Sequence, residues 1–446
     1  MTHTSTLRKY AVAAIATLCI GCKADSLLKS DNPDVIDPGA LGTAQGAVAQ
    51  YNGALGDFAL AADGSGTGGP GLVEAVAWFT DEARFGGTPP EVKQMDLRAV
   101  REEAAAWQNM YLNLHRAREG AEQSAKALAT FNASDPRIGE MYAISALVHI
   151  SLGEDYCSGV PFSTTTPELT YGDPQTTTQI YQRALARLDL AKQNSFGNAT
   201  VTNLEAVLRG RALVDLAKNS GDAAGFTAAA NAVANVPTSF TYQAYHSTST
   251  ARENNFMYTD IFSADRLSVS DQEGTNGLNF GSANDPRVPV EIPTANNGLS
   301  RFDNVTPMIR FLRYNSLSAP VVHASGIEAR MIEAEAALAN NDATTWLAKL
   351  NAARATVTGL APLTDPGAAG RVDLMFRERA MWLFMTGHRL GDLRRMVRQY
   401  GRGPETVFPT GAYHKDNLTR GTDVNIVIPI SERNNPKFSG CLDRAA

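Results

Sequence analysis

The chain has 446 residues and a formal net charge of −6. That length can bury a sizeable core and holds either one large domain or two to three ordinary ones. Mild acidity without a basic stripe excludes the electrostatic footprint of nucleic-acid binding.

Residues 1–21 read as an export signal. Arg8 and Lys9 precede the apolar run Tyr10–Ile20, and Gly21-Cys22 follows. The run is too short for a stable membrane span. Gly21-Cys22 is similar to a bacterial lipobox, cleaved before Cys22, which then carries the lipid (a palmitate-type anchor). Cys19 stands where such boxes usually have Leu. The alternative is an ordinary signal with a free Cys22. No later run reaches the roughly 18 apolar residues of a membrane helix. The mature chain is therefore expected to be anchored to a membrane and not to cross it. Residues 22–43 form a polar tether, because Asn32-Pro33 and Asp37-Pro38 resist helix. Cys157 and Cys441 remain. They are either bridged, tying the C-terminal tail to the body, or two separate thiols. The bridge is preferred in an exported protein, where a leftover thiol is reactive. Two cysteines are too few for a Cys-based zinc site.

From residue 44 the pattern is helical. Val48, Tyr51, Leu55, Phe58 and Ala59 predict a helix over 44–62, and a second is expected over 72–84. Between them, Gly64, Gly66 and Gly69 satisfy G-x-G-x-x-G. A helix precedes this stretch and Pro70 follows it, so it reads as a flexible surface loop and not a dinucleotide fingerprint. Asp81-Glu82 reads as a solvated helix-end pair. A loop over Phe85–Met95 leads to a long helix at about 98–130, whose Trp107 and Tyr111 sit one turn apart and read as core. Asp135-Pro136 opens a helix to about 152. Further helices are expected over 178–193, 202–218 and 223–235. Ala184, Ala186, Ala206 and Ala212 let neighbours approach closely, and the repeated hairpins suggest tetratricopeptide-like repeats.

Residues 237–320 change character. Tyr242, Tyr245, Phe256, Tyr258, Phe262, Phe280, Phe302 and Phe311 appear without helical period among Asn, Ser, Gly and Thr. This reads as loops and short strands laid across a helical scaffold, the kind of segment that carries binding. Helix returns at about 323–340 and 343–356, and Val424–Ile430 reads as a short strand.

Arg371–Tyr400 reads as helix, a break at Gly387, then helix. Phe376, Ala380, Leu383 and Phe384 form one apolar face. Charges crowd that face: Glu378, Arg379, Arg389, Asp392 and Arg395. Arg389 and Asp392 are three apart, as are Asp392 and Arg395, so the spacing allows pairing. The reading is a structural ion-pair corner in preference to an Arg/His/Asp active site.

Glu378-Arg379, Gly387-His388-Arg389 and Asp392-Leu393-Arg394-Arg395 resemble the C-terminal signature of the SusD/RagB family of nutrient-uptake outer-membrane lipoproteins. Thr386 departs from the usual Glu. The Asn-Pro and Asp-Pro steps of the tether, Asp285-Pro286-Arg287, and Ile428-Pro429-Ile430 with Asn435-Pro436 are similar to other family patterns, so the likeness spans the mature chain. It implies a mainly α, SusD-like fold in one domain over 44–446. In that domain a helical scaffold occupies about 44–236 and 321–400, a loop-rich region 237–320 and a tail 401–446. It also implies a non-catalytic protein, lipid-anchored to the outer membrane. Such a protein captures oligosaccharide or peptide and passes it to a SusC-like TonB-dependent transporter.

The family's early loop implicates Arg84, Phe85, Asp96 and Arg98 in ligand binding. The insertion offers Tyr242, Tyr245 and Tyr258, since aromatic faces stack on sugar rings. No His-Glu-x-x-His, phosphate-loop or Gly-x-Ser-x-Gly motif is present, and no metal or cofactor is expected. An α-repeat envelope scaffold without a small ligand and a lipid-anchored hydrolase remain the alternatives.

Overall fold

A computed structural model describes residues 41–166 and 168–446. The export signal, Cys22 and the tether up to residue 40 lie outside the described residues.

Helix α1 (Ala44–Asp63) packs along α4 (Ala105–Phe131), which pairs with α5 (Pro136–Asp155). The stack continues through α6 (Thr177–Gln193), α7 (Ala199–Leu216), α8 (Ala223–Val233), α9 (Gly326–Ala339) and α10 (Ala343–Arg354), each packed on the one before. The fold is thus mainly α, a run of tetratricopeptide-like helical hairpins. Local chemistry sets the helix starts. Thr176 and Gln179 form a reciprocal capping box on α6, and Asn198, Asp222, Ser325 and Asp342 each accept a backbone N–H at the start of α7 to α10. Each such cap stabilises its helix by about 1 kcal/mol. Apolar positions at helical spacing, such as Leu204, Val207 and Leu208 on α7, supply the common core.

Residues 234–325 interrupt one helix pair, because α8 and α9 are spatial neighbours. Strand β4 (Thr241–Ala244) pairs antiparallel with β8 (Val321–Ser325) and closes the base of this insertion. Gly326 follows, where a Cβ would collide with the Pro237 carbonyl, so this closure requires glycine. Within the insertion β5 (Leu267–Val269) pairs with β1 (Ala83–Phe85), and β6 (Val290–Glu291) with β7 (Arg310–Phe311). One further two-stranded sheet, β2 (Val160–Pro161) with β3 (Pro174–Gln175), lies outside it. The insertion is loops and short strands laid on the scaffold.

Several expectations need correction. The second helix, α2 (Leu72–Phe79), stops short of residue 84: the Thr80 hydroxyl bonds back to the Val76 carbonyl and residues 83–85 turn into β1. The loop over 85–95 contains α3 (Pro90–Asp96), opened by Pro90. The long helix starts at Ala105, because Arg98 takes a positive φ of 54°. The glycine-rich stretch is a surface turn as expected, with Gly66 to Gly68 exposed, and it is tied down by hydrogen bonds: Ser65 bridges Gly69 and the Gly66 amide donates to the Ala251 carbonyl at 2.9 Å. No strand forms over 424–430; Ile426 makes a single bridge to Tyr156. The two cysteines are joined: Cys157, at the end of α5, forms a disulfide with Cys441 of the tail.

Candidate functional site

The insertion carries an aromatic face edged by arginines. Buried Asn255 caps a helical turn at Phe256–Tyr258, accepting the Tyr258 amide at 3.2 Å and donating to the Ala319 carbonyl at 2.7 Å. The backbone then widens into a π-turn over Thr259–Ser263, closed by the Ala264 amide on the Thr259 carbonyl at 2.7 Å. Such wide turns recur at functional sites. Here the turn stacks Phe262 on Tyr258, with ring centroids 5.3 Å apart and planes 23° from parallel. Both rings are half-buried. Asp265 follows in the left-handed region, at φ 49°, and redirects the chain into β5.

Asp265 is also the electrostatic anchor. It accepts from Arg301 and, at 3.0 Å, from Arg310. Arg301 further donates to the Phe262 and Ser263 carbonyls at 3.1 Å. Arg310 lies 5.5 Å from the Phe262 ring centroid, and Arg266 lies 5.6 Å from that of Phe302. Phe302 is 49 % exposed. Rings held beside planar guanidinium donors can stack on the apolar face of a flat ligand while hydrogen-bonding its hydroxyls. Beneath the face, burial and the neighbouring Asp260 carboxylate raise the Glu74 carboxyl well above its ordinary range.

The early loop supports this face from below and does not extend it. Phe85 is 1 % exposed and packs edge-on against Trp78 at 5.4 Å. Asp96 is buried, accepting the Phe85 amide at 2.7 Å and the Tyr413 hydroxyl at 2.8 Å. Arg98 is buried between Glu405 and the Asp423 and Pro409 carbonyls. Arg84 pairs with Glu273 at 3.3 Å. Lys415 straps the Phe302 loop down, donating to Asp303 at 2.7 Å and to the Gly87 carbonyl at 2.8 Å. Phe85, Asp96 and Arg98 are therefore corrected from ligand contacts to supports, because their side chains are enclosed. Tyr242 is corrected likewise: it is buried and donates to Glu140 at 2.8 Å. Tyr245 is 78 % exposed, beyond the end of β4, and makes none of the ring contacts of the face. Of the seven candidates, Tyr258 alone is part of it. Phe262, Phe302, Arg266, Arg301 and Arg310 complete the face. Their one signal in sequence is the adjacency of charge and ring in Arg301-Phe302.

The C-terminal corner is separate from this face. Helix α11 (Arg371–Trp382) ends in a turn with Met385 at φ 51° and Gly387 at φ 82°, and α12 (Arg389–Arg398) follows. Arg379 Nε donates to both Asp392 carboxylate oxygens, at 2.9 and 3.0 Å, and Arg395 bridges Asp392 at 2.8 Å and Glu335 at 2.6 Å. Glu378 takes Arg287 and Arg354 at 2.7 and 2.8 Å. Arg389 does not pair with Asp392; it forks onto Asp81 at 2.6 and 2.9 Å. This corrects the solvated reading of Asp81-Glu82, since both are buried. His388 approaches Glu328 at 3.4 Å. Burial opposes ionisation of Glu328, yet Arg211 and His388 hold its pKa at about 2.

Burial pushes the Glu82 carboxyl up to about 8, although the Met385 amide donates to it at 2.9 Å. A raised pKa stabilises the fold below the unfolded value and loses that stability as pH rises towards the folded one. Between pH 4.5 and 8 the loss amounts to a few kcal/mol at about 1.4 kcal/mol per unit. Glu82→Gln keeps the acceptor and removes the titration. The variant is expected to match the parent near pH 4.5 and to exceed it at pH 8. Urea unfolding across that range checks this, and parallel pH profiles would refute it.

The backbone course has known counterparts. A SusD superfamily protein from Parabacteroides distasonis superposes with a TM-score of 0.65 at 13% identity, covering 89% of this chain and 98% of its own. The chain has the SusD-like fold. A SusD-like carbohydrate binding protein from Bacteroides vulgatus gives 0.56 at 14% identity over 79% of this chain and 83% of its own. A laminarin binding SusD-like protein gives 0.63 at 14% identity over 89% and 99%. No protein-family model matches the sequence, and no curated protein matches it.

Proposed function

We propose that this chain is a non-catalytic SusD/RagB-type lipoprotein that binds oligosaccharide outside the outer membrane and hands it to a SusC-like TonB-dependent transporter. The observation that carries the reading is the Tyr258–Phe262 stack flanked by Phe302, Arg301 and Arg310. It supplies ring faces beside planar guanidinium groups held by Asp265. The fold shared with SusD-like carbohydrate- and laminarin-binding proteins supports glycan as the cargo. No helix among the described residues is long and apolar enough to cross a membrane, in keeping with an anchor at Cys22.

Calorimetric titration with a glycan panel that includes laminarin tests the site. Tyr258→Ala and Phe302→Ala are each expected to weaken a bound glycan roughly tenfold, about 1.4 kcal/mol, while Tyr245→Ala leaves affinity unchanged. Unaltered binding in both face variants, or binding of peptides alone, would overturn the assignment. Delivery is tested separately, by isolating the lipidated protein in mild detergent and looking for a co-purifying barrel.

A further inference from the structure

Nine arginines are almost wholly buried among the described residues. Seven of them, Arg98, Arg211, Arg287, Arg379, Arg389, Arg395 and Arg420, each have a carboxylate within ion-pair distance. Arg394 has none but donates to three backbone carbonyls, of Gly153, Glu154 and Tyr156. Arg118 is the exception. It is 2 % exposed, makes one hydrogen bond, from Nη2 to the Ser163 carbonyl at 2.7 Å, and its Nε has no partner. Its guanidinium lies 5.6 Å from the centroid of Phe162. No carboxylate lies within ion-pair distance: Glu122 pairs with Arg187 at 3.1 Å, and Glu122 and Glu119 act on Arg118 only at longer range. A buried cation so placed is costly, and folds ordinarily avoid one.

Arg118 also lines a cavity of about 520 Å³, between α4 and the strand that carries Pro161. That volume is within the range of small-molecule sites. Tyr111 and His115 share the wall, their rings 4.6 Å apart, and Leu112, half exposed, stands at its edge. The acids around the cavity are otherwise occupied. Asp57 pairs with Arg252 at 2.6 Å. Glu119 accepts the Thr165 amide at 2.7 Å and its hydroxyl at 2.9 Å. Burial raises the Glu432 carboxyl above its ordinary range, and burial together with Arg118 holds His115 neutral.

We infer that this cavity is a second binding site, distinct from the aromatic face, for a small carboxylate on a ring, such as a uronic acid, with Arg118 as the counter-ion. A guanidinium fork matches a carboxylate in geometry as well as charge. Tyr111 and His115 present rings for the remainder of the ligand. The site does not depend on the aromatic face being a glycan site.

The test is calorimetric titration of the full-length protein with galacturonate, its methyl ester, galactose, benzoate and sulfate. Galacturonate is expected to saturate one site, and the ester and galactose not to bind. Benzoate binding would place the specificity in the carboxylate and ring; its failure beside galacturonate would add the hydroxyls. Sulfate binding as tight as galacturonate would refute a carboxylate site. Arg118→Gln is expected to weaken galacturonate roughly 10- to 100-fold with the melting temperature of the free protein held, because it removes a buried charge that has no ion-pair partner. Should that variant fail to fold, Leu112→Trp narrows the mouth without touching the arginine and is expected to weaken binding likewise. Unchanged affinity in either folded variant, equal binding of acid and ester, or no carboxylate binding at all overturns the proposal.

Discussion

Asp392→Asn is expected to destabilise the protein by about 3–5 kcal/mol in urea unfolding at pH 7. The side chain keeps its volume and loses its charge. Arg379 then faces a neutral amide, and its other carboxylate, Glu335, is 4.0 Å away. Arg395 keeps Glu335 at 2.6 Å, so most of the loss falls on Arg379. The pH dependence has a definite sign. Burial acts to raise the Asp392 pKa, but Arg379 and Arg395 together hold it far below the ordinary range. A depressed pKa contributes stability above the unfolded value of about 3.9, and that stability is lost as pH falls towards the folded one. The gap between parent and variant is therefore constant above about pH 5 and closes in acid. Adding Arg379→Met to the variant is expected to recover part of the loss, since an apolar group replaces the stranded cation. A single-variant loss below about 1 kcal/mol would show that water reaches the corner.

That corner shows where sequence reasoning stops. Its apolar face was legible because Phe376, Ala380, Leu383 and Phe384 recur at helical period, and all four are buried. The crowding of Arg and Asp beside such a face already required pairing. Spacing then offered both Arg389–Asp392 and Asp392–Arg395, and only the second exists. Arg389 instead neutralises Asp81, which packing has carried out of water 308 residues away in the chain. Three-residue spacing reports local opportunity, whereas a buried carboxylate takes whichever cation the tertiary fold delivers. The long helices were legible for the same local reason, being amphipathic and capped. The strands β1 and β5 were not, since three-residue strands carry no usable period and exist only through their pairing.

The candidate site was half legible. Aromatic residues without helical period marked the insertion as the place, and Tyr258 is there. Its stacking partner Phe262 depends on a π-turn, which changes the angle between residues four apart and leaves no composition signal. Phe85 misled because ring type says nothing of burial. It ends the short strand β1, which is paired to β5, so its side chain points into the core against Trp78.

The Cys157–Cys441 bridge carries the second large effect. Its cysteines are 284 residues apart, so it closes a very long loop in the unfolded chain. The chain-entropy estimate for such a loop is about 5 kcal/mol, acting on the unfolded state. The folded tail has other attachments. The Cys157 amide donates to the Ile426 carbonyl at 2.9 Å, the Leu442 amide to that of Ser158 at 2.7 Å, and Ile426 and Ile428 are buried. The Cys157→Ser, Cys441→Ser double variant is thus expected to keep the native circular dichroism spectrum while losing about 5 kcal/mol in urea. Reduction of the parent is expected to reproduce that loss, and the variant to be indifferent to reductant. A loss that appears as a detached tail, with the rest of the protein at parental stability, would place the bridge's effect in the native state. A loss under about 1 kcal/mol would mean that the unfolded chain holds these ends together without the bond.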